Sequence, residues 1–156
     1  MLANFLLMRS TFSVQTLLWV GQRRGDPEKP SDTMARKKIL LVDDSETVLM
    51  MERLILQNEC YEVETAKDGK EGIAKAVETK PDLILMDVVM PHMNGFEAVK
   101  RLRQRDETKS VPIVMVTTQA EMDSMEAGYV SGCSDYVVKP IDHLELLTKV
   151  KNLIGE

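Results

Sequence analysis

Cysteine, aromatic residues and long apolar runs are all scarce in this chain of 156 residues, and each scarcity excludes something. Two cysteines, Cys60 and Cys133, have neither the number nor the spacing of a disulfide framework or a metal site. They are expected to be buried, reduced thiols. Aromatic residues make up 4% of the chain, with one tryptophan, Trp19. No stretch approaches the ~20 apolar residues that a membrane span needs. Positive charge is not in excess either: the net charge of −5 argues against a nucleic-acid surface. What remains, 44% hydrophobic and 29% charged, is the balance of a globular domain with one core.

A composition shift near residue 34 divides the chain. Residues 1–33 are an N-terminal extension with apolar patches (Phe5-Leu6-Leu7-Met8 and Leu17-Leu18-Trp19-Val20) broken by Arg9, Ser10, Thr11, Ser13, Gln15 and Thr16. No basic cluster precedes these patches and no small-residue cleavage site follows them, so they do not read as a secretory signal. Gly21, Gly25, Pro27, Pro30 and Ser31 give residues 21–33 the composition of a linker. The extension is expected to be non-essential, and membrane contact, if any, is expected only through residues 1–20. Met34-Ala35-Arg36-Lys37-Lys38 reads as a fresh start, leaving residues 34–156 with 16 of the 20 basic and 22 of the 25 acidic side chains.

Beyond Lys37, short continuous apolar runs alternate with stretches of helical period. Lys38–Val42, Asp82–Met86, Val111–Val116 and Asp135–Val138 read as strands buried on both faces. Tyr61-Glu62-Val63-Glu64-Thr65 alternates polar and apolar residues, which places it at an edge. Helices are marked by Val48, Met51, Leu54 and Ile55; by Ile73, Ala76 and Val77; and by Phe96, Val99 and Leu102. A fourth is marked by Met122, Met125 and Tyr129, and a fifth by Leu144, Leu147, Val150 and Ile154. Asp68 with Glu71, Asn94 with Glu97, Thr118 with Glu121 and Asp142 with Glu145 have capping-box spacing at the helix starts. The expected fold is α/β: a (βα)5 chain forming a doubly wound, five-stranded parallel sheet. The last helix ends with the chain, so no further domain is expected after it.

Chemistry concentrates at the carboxyl ends of the strands, where open parallel sheets bind ligands. Asp43-Asp44, Asp87, Thr117 and Lys139 all fall there. Carboxylates crowded together resist ionisation unless a cation neutralises them, and a small hard divalent ion such as Mg2+ suits oxygen ligands plus a phosphoryl group. Each island taken singly has a structural reading: a helix cap, a turn residue, a strand-end lysine, a β-branched strand residue. Together they resemble the receiver domain of bacterial two-component signalling, which has the flavodoxin-like fold. Asp43-Asp44 resembles the acidic pair of that family, Asp87-Val88-Val89-Met90-Pro91-His92-Met93-Asn94-Gly95 its phosphorylated segment, Thr117 its switch hydroxyl and Lys139-Pro140 its lysine–proline pair.

The resemblance implies that Asp87 accepts a phosphoryl group. It also implies that Asp44 and Asp87 bind Mg2+ directly, Asp43 through water and Val89 through its backbone carbonyl. Lys139, the Thr117 hydroxyl and a backbone amide near Val88 would cover the phosphoryl oxygens. Tyr136, three residues before Lys139, resembles the aromatic switch position. The donor would be a sensor histidine kinase or a histidine phosphotransfer protein, chosen through exposed first-helix residues (Glu46, Met50, Arg53, Leu54). The output would be a protein bound at the face built from the fourth helix, fifth strand and fifth helix, in the cytoplasm. The resemblance also admits a phosphorelay intermediate, a phosphate sink or a localisation module. The chain departs from the family at Thr118, where a small residue is usual, while Val89 and Gln119 occupy positions that tune dephosphorylation.

Overall fold

The computed structural model describes residues 35–123 and 132–156. Five parallel strands form one sheet in the order β2-β1-β3-β4-β5: β1 (Lys38–Val42), β2 (Glu62–Ala66), β3 (Leu83–Asp87), β4 (Ile113–Thr117) and β5 (Asp135–Val138). The polar-alternating β2 lies at an edge, as expected, because only one of its sides is paired. The connecting helices are α1 (Glu46–Asn58), α2 (Gly69–Thr79), α3 (Gly95–Arg103), α4 (Gln119–Asp123) and α5 (His143–Ile154). Strands β2, β3 and β4 begin and end one or two residues later than their apolar runs, within the usual uncertainty of an element boundary.

Strand side chains alternate between faces, and the core divides accordingly. Leu40, Val42, Ile84, Met86, Ile113 and Met115 pack with Ile73, Ala76, Ala98, Val99 and Leu102 of α2 and α3. Ile39, Leu41, Leu83, Leu85, Val114 and Val137 pack on the other face with Leu49 and Leu56 of α1 and Leu146, Leu147 and Val150 of α5. Burial on both faces is why β1, β3 and β4 read as unbroken apolar runs, whereas β5, expected to be equally covered, lies at the other edge and is fully buried only at Val137.

Three expectations need correction. The buried seam of α1 is Leu49, Glu52 and Leu56, while Met51 and Leu54 are 60% and 53% exposed. The apolar residues of that helix outnumber what its seam can bury, and the acid at position 52 masks the true phase. In α5, Leu144 is 74% exposed and Leu146 takes the core position. The cysteines are free but not buried: Cys60 is exposed in the left-handed turn after α1, with φ of 66°, and Cys133 is half-buried before β5. Residues 1–33, Met125 and Tyr129 lie outside the described residues. Among the described residues no helix is long and apolar enough to cross a membrane.

Candidate phosphoacceptor site

Register builds the site. Val42 pairs with Met86 and Asp87 with Val116, while Thr117 pairs with Val138. Asp43, Asp87, Thr117 and Lys139 therefore arrive at one level, each at or one residue past a strand end. Ligand oxygens of Asp43, Asp44 and Asp87 lie within 4.8 Å of one another. Asp43 and Asp87 are 2% and 5% exposed, whereas Asp44 faces solvent.

Each side chain is held by local structure. Ser45 caps α1 by accepting from the Val48 amide, and its own amide donates to Asp43 Oδ1 at 2.7 Å. That leaves Asp44 free of the capping role. Lys139 Nζ donates to Asp43 Oδ2 at 3.1 Å and to Asp87 Oδ1 at 2.9 Å, while its amide donates to the Thr117 carbonyl at 2.6 Å. The Lys139–Pro140 peptide is cis. After Asp87 the chain turns tightly: the Gly95 amide donates to the Val88 carbonyl at 2.8 Å, and a Cβ at Gly95 would stand 2.2 Å from the Asp87 carbonyl oxygen. Only glycine lets α3 start that close to the acceptor residue.

Burial pushes the Asp87 carboxyl up to about 6; Lys139 opposes this, and the neighbouring Asp43 and Asp44 charges reinforce it. Asp87 is thus still mainly ionised at neutral pH. Burial works against the Lys139 ammonium, but its bonds to Asp87 and Asp43 prevail and hold it above its usual range. Three carboxylates against one ammonium leave the cluster short of positive charge. A hard divalent ion with oxygen ligands fits that donor set, with Asp44 open to solvent.

The other expected residues are placed as follows. Thr117 is fully buried, and its hydroxyl donates to Glu121 Oε2 at 3.0 Å. Val89 is 59% exposed on the loop after β3, and Gln119 opens α4 at the surface. Tyr136 is half-buried on the α2–α3 side of the sheet, with Lys149 Nζ 4.9 Å from its ring centroid. Glu46, Met50, Arg53 and Leu54 are all exposed on α1. The Val88 amide is not available to a phosphoryl oxygen, because it donates to the Val116 carbonyl at 3.1 Å as the ladder continues past β3.

Two acids near the site escaped the reading of the chain as a phosphoacceptor. Glu52 is 1% exposed, and its Oε1 has no hydrogen-bond partner. Burial, with help from Asp43, pushes its carboxyl up to about 8. Its position three residues after Leu49 and four before Leu56 was the available signal. Glu121 was read only as half of a capping box.

Comparison with known proteins agrees with this geometry. Residues 39–151 match the family model described as the response regulator receiver domain. The chain is 37% identical to the Pseudomonas aeruginosa protein PilH over 118 residues, covering 76% of this chain and 98% of PilH. It is also 37% identical to the Bacillus subtilis transcriptional regulatory protein ResD, but spans only 50% of that longer protein. Among solved structures, the Vibrio cholerae chemotaxis protein CheY4 is 40% identical with a TM-score of 0.72, covering 76% of this chain and 99% of that one. The receiver domain of a Pseudomonas aeruginosa sensor histidine kinase, solved with magnesium coordinated in its active site cleft, is 30% identical with a TM-score of 0.73, covering 78% of this chain and 100% of that one. Fold, strand-end cluster and sequence converge, and the chain belongs to the response regulator receiver family, the phosphoacceptors of two-component signalling.

Proposed function

We propose that this chain is a single-domain response regulator of the cytoplasm, which takes a phosphoryl group onto Asp87 from a sensor histidine kinase and signals by binding a protein partner. One observation carries the reading. Three carboxylates converge to within 4.8 Å around an ammonium that bonds the two buried ones. That arrangement has little use in stability and a direct use in phosphoryl transfer.

Asp43, Asp44, Asp87 and the Val89 backbone carbonyl would hold Mg2+, which supplies positive charge beside the transferring group. An Asp87 carboxylate oxygen attacks phosphorus, the phosphorus–nitrogen bond of the donor phosphohistidine breaks, and the imidazole leaves with the bonding pair. A carboxylate is a weak nucleophile, so positioning and charge neutralisation dominate. Lys139 is already on Asp87 and neutralises charge as it shifts to a phosphoryl oxygen. Thr117, at the same level, donates its hydroxyl. Displacement of Thr117 couples to Tyr136, whose Cα pairs with Met115 on β4, and so to a partner-binding face of α4, β5 and α5. Residues 34–156 form the signalling unit, and residues 1–33 are dispensable to it.

Labelling with acetyl phosphate in the presence of magnesium tests this. Wild type and a 34–156 fragment should label equally with an acid-labile, acyl-phosphate bond, and Asp87→Asn should not label. Full labelling of Asp87→Asn would refute the acceptor assignment. Failure of the fragment alone would refute the dispensable extension.

A further inference from the structure

The four capping acids do not behave alike. Glu71 turns to the Lys67 amide and to Lys75, Glu97 to Arg101, and Glu145 to Lys149, all at the surface. Glu121 instead turns back toward the site. Its Oε2 accepts from the Thr117 hydroxyl at 3.0 Å and from the Thr118 amide at 2.8 Å, while its own amide donates to Thr118 Oγ1 at 3.4 Å. One carboxylate oxygen therefore reaches both donors at the carboxyl end of β4, and for the Thr117 hydroxyl it is the nearer acceptor, the Thr118 carbonyl lying at 3.3 Å.

A hydroxyl has a single proton to donate, so Thr117 cannot serve Glu121 and a second anion together. Burial works against the charged form of Glu121. The Thr118 amide, the Thr117 and Thr118 hydroxyls and the charge of Lys139 outweigh it and hold the carboxyl below its usual range. Glu121 is an anion at neutral pH, stabilised by the Thr117 hydroxyl and by the charge of the ammonium that bonds Asp87.

We propose that Glu121 is a built-in competitor for the phosphoryl group, holding the Thr117 hydroxyl and the Thr118 amide until a phosphoryl oxygen displaces it. This rests on Asp87 being the phosphoacceptor. It makes Glu121 a positioning residue with two effects. Occupation of the site must break a charge-assisted bond before Thr117 can help, which weakens binding of any phosphoryl mimic. Release of that bond frees the first turn of α4 from β4, so the state of Asp87 is passed to α4 directly through a side chain.

The test measures beryllofluoride affinity of the full chain by calorimetry in saturating magnesium. Glu121→Gln keeps shape and removes charge, and should tighten binding about fivefold, the low end of typical coupling between sites. In a Thr117→Ala background the gain from Glu121→Gln should shrink to about twofold or less, because the shared donor is gone. Glu71→Gln alters the equivalent capping acid of α2, which turns to the Lys67 amide and to Lys75, and should leave the affinity within about twofold of wild type. Wild-type binding that requires Asp87 but ignores Glu121→Gln would overturn the competitor alone. So would a gain undiminished by Thr117→Ala, or an equal gain in Glu71→Gln. Binding that survives Asp87→Asn would overturn the phosphoacceptor assignment, and the competitor with it.

Discussion

At the amino ends of the strands, charged groups sit half-exposed beside partners of their own. Asp82 accepts from the Lys38 amide at 2.8 Å and pairs with Lys37, while Lys38 reaches the Thr79 carbonyl at 3.1 Å and Glu62. Tyr61 donates to Glu156, and Glu59 pairs with Lys151. At the carboxyl ends the proportions reverse. Asp43, Asp87 and Glu52 are buried, Glu52 leaves an oxygen without a partner, and one ammonium serves two carboxylates. A chain selected only for stability would distribute its charges as the first end does. The second end keeps an uncompensated negative charge in place, an arrangement that suits a divalent cation and the proposed phosphoryl transfer.

The largest expected effect breaks this comparison most directly. Asp44→Ala should abolish magnesium-dependent labelling of Asp87, because Asp44 is the solvent-open member of the cluster and holds no cap. Asp43→Ala should cost less metal affinity, since Asp43 is already committed to Lys139 and the Ser45 amide. Asp82→Ala, at the opposite end, should leave both metal binding and labelling unchanged. Magnesium calorimetry alongside acetyl phosphate labelling checks all three. Equal magnesium affinity in wild type and Asp44→Ala would refute the metal role.

Strand ends and their residues were legible because two patterns agree there: unbroken apolar runs give the strands, and the polar residue after each run gives the site. The sheet edge at β2 was legible from the opposite pattern, its alternation of polar and apolar residues. Side-chain direction was not. Thr118 and Glu121 have the spacing of a capping box, and the box forms, but spacing cannot say that the acid also reaches Thr117. In α1, Met50, Met51, Leu54 and Ile55 offer more apolar residues than one seam holds, so the helix phase could not be fixed by counting. The amide expected near Val88 is not that of Val88 itself, because ladder pairing runs one residue beyond the apolar stretch.

A smaller effect should come from Glu52, which belongs to the site by charge and to the core by burial. Its folded carboxyl titrates near 8, against an ordinary value of 4.5. A raised acid favours the folded state most while both states are protonated. As pH climbs from the unfolded value to the folded one, the unfolded chain releases a proton that the folded chain keeps, and stability is lost across that window. Glu52→Gln should flatten the loss between about 4.5 and about 8 in the metal-free chain. Glu52→Leu should stabilise it at the alkaline end by roughly 1–4 kcal/mol, as replacement of buried charge by well-packed apolar groups often does. Urea denaturation of the three chains at several pH values checks this. Parallel pH curves for wild type and Glu52→Gln would show that Glu52 does not titrate in the window.

The smallest effect lies at the amino ends, and it sharpens the contrast because it is purely structural. Asp82 ties the start of β1 to the turn before β3 through one charge-assisted bond to the Lys38 amide, with a half-exposed pair to Lys37 beside it. An exposed pair of that kind contributes roughly 0–1 kcal/mol, and a hydrogen bond to a charged group about 1.5–3 kcal/mol. Part-exposure of the acceptor lets water replace some of the lost bond, so Asp82→Ala should destabilise the domain by about 1–2 kcal/mol. High salt should remove only the Lys37 share of that loss, since screening acts on the exposed pair more than on the shorter bond to the backbone. Urea denaturation at low and high ionic strength separates the two shares. A loss in Asp82→Ala that vanishes entirely in high salt would mean the backbone bond contributes nothing, and that the amino end is held by charge in the same way as the carboxyl end.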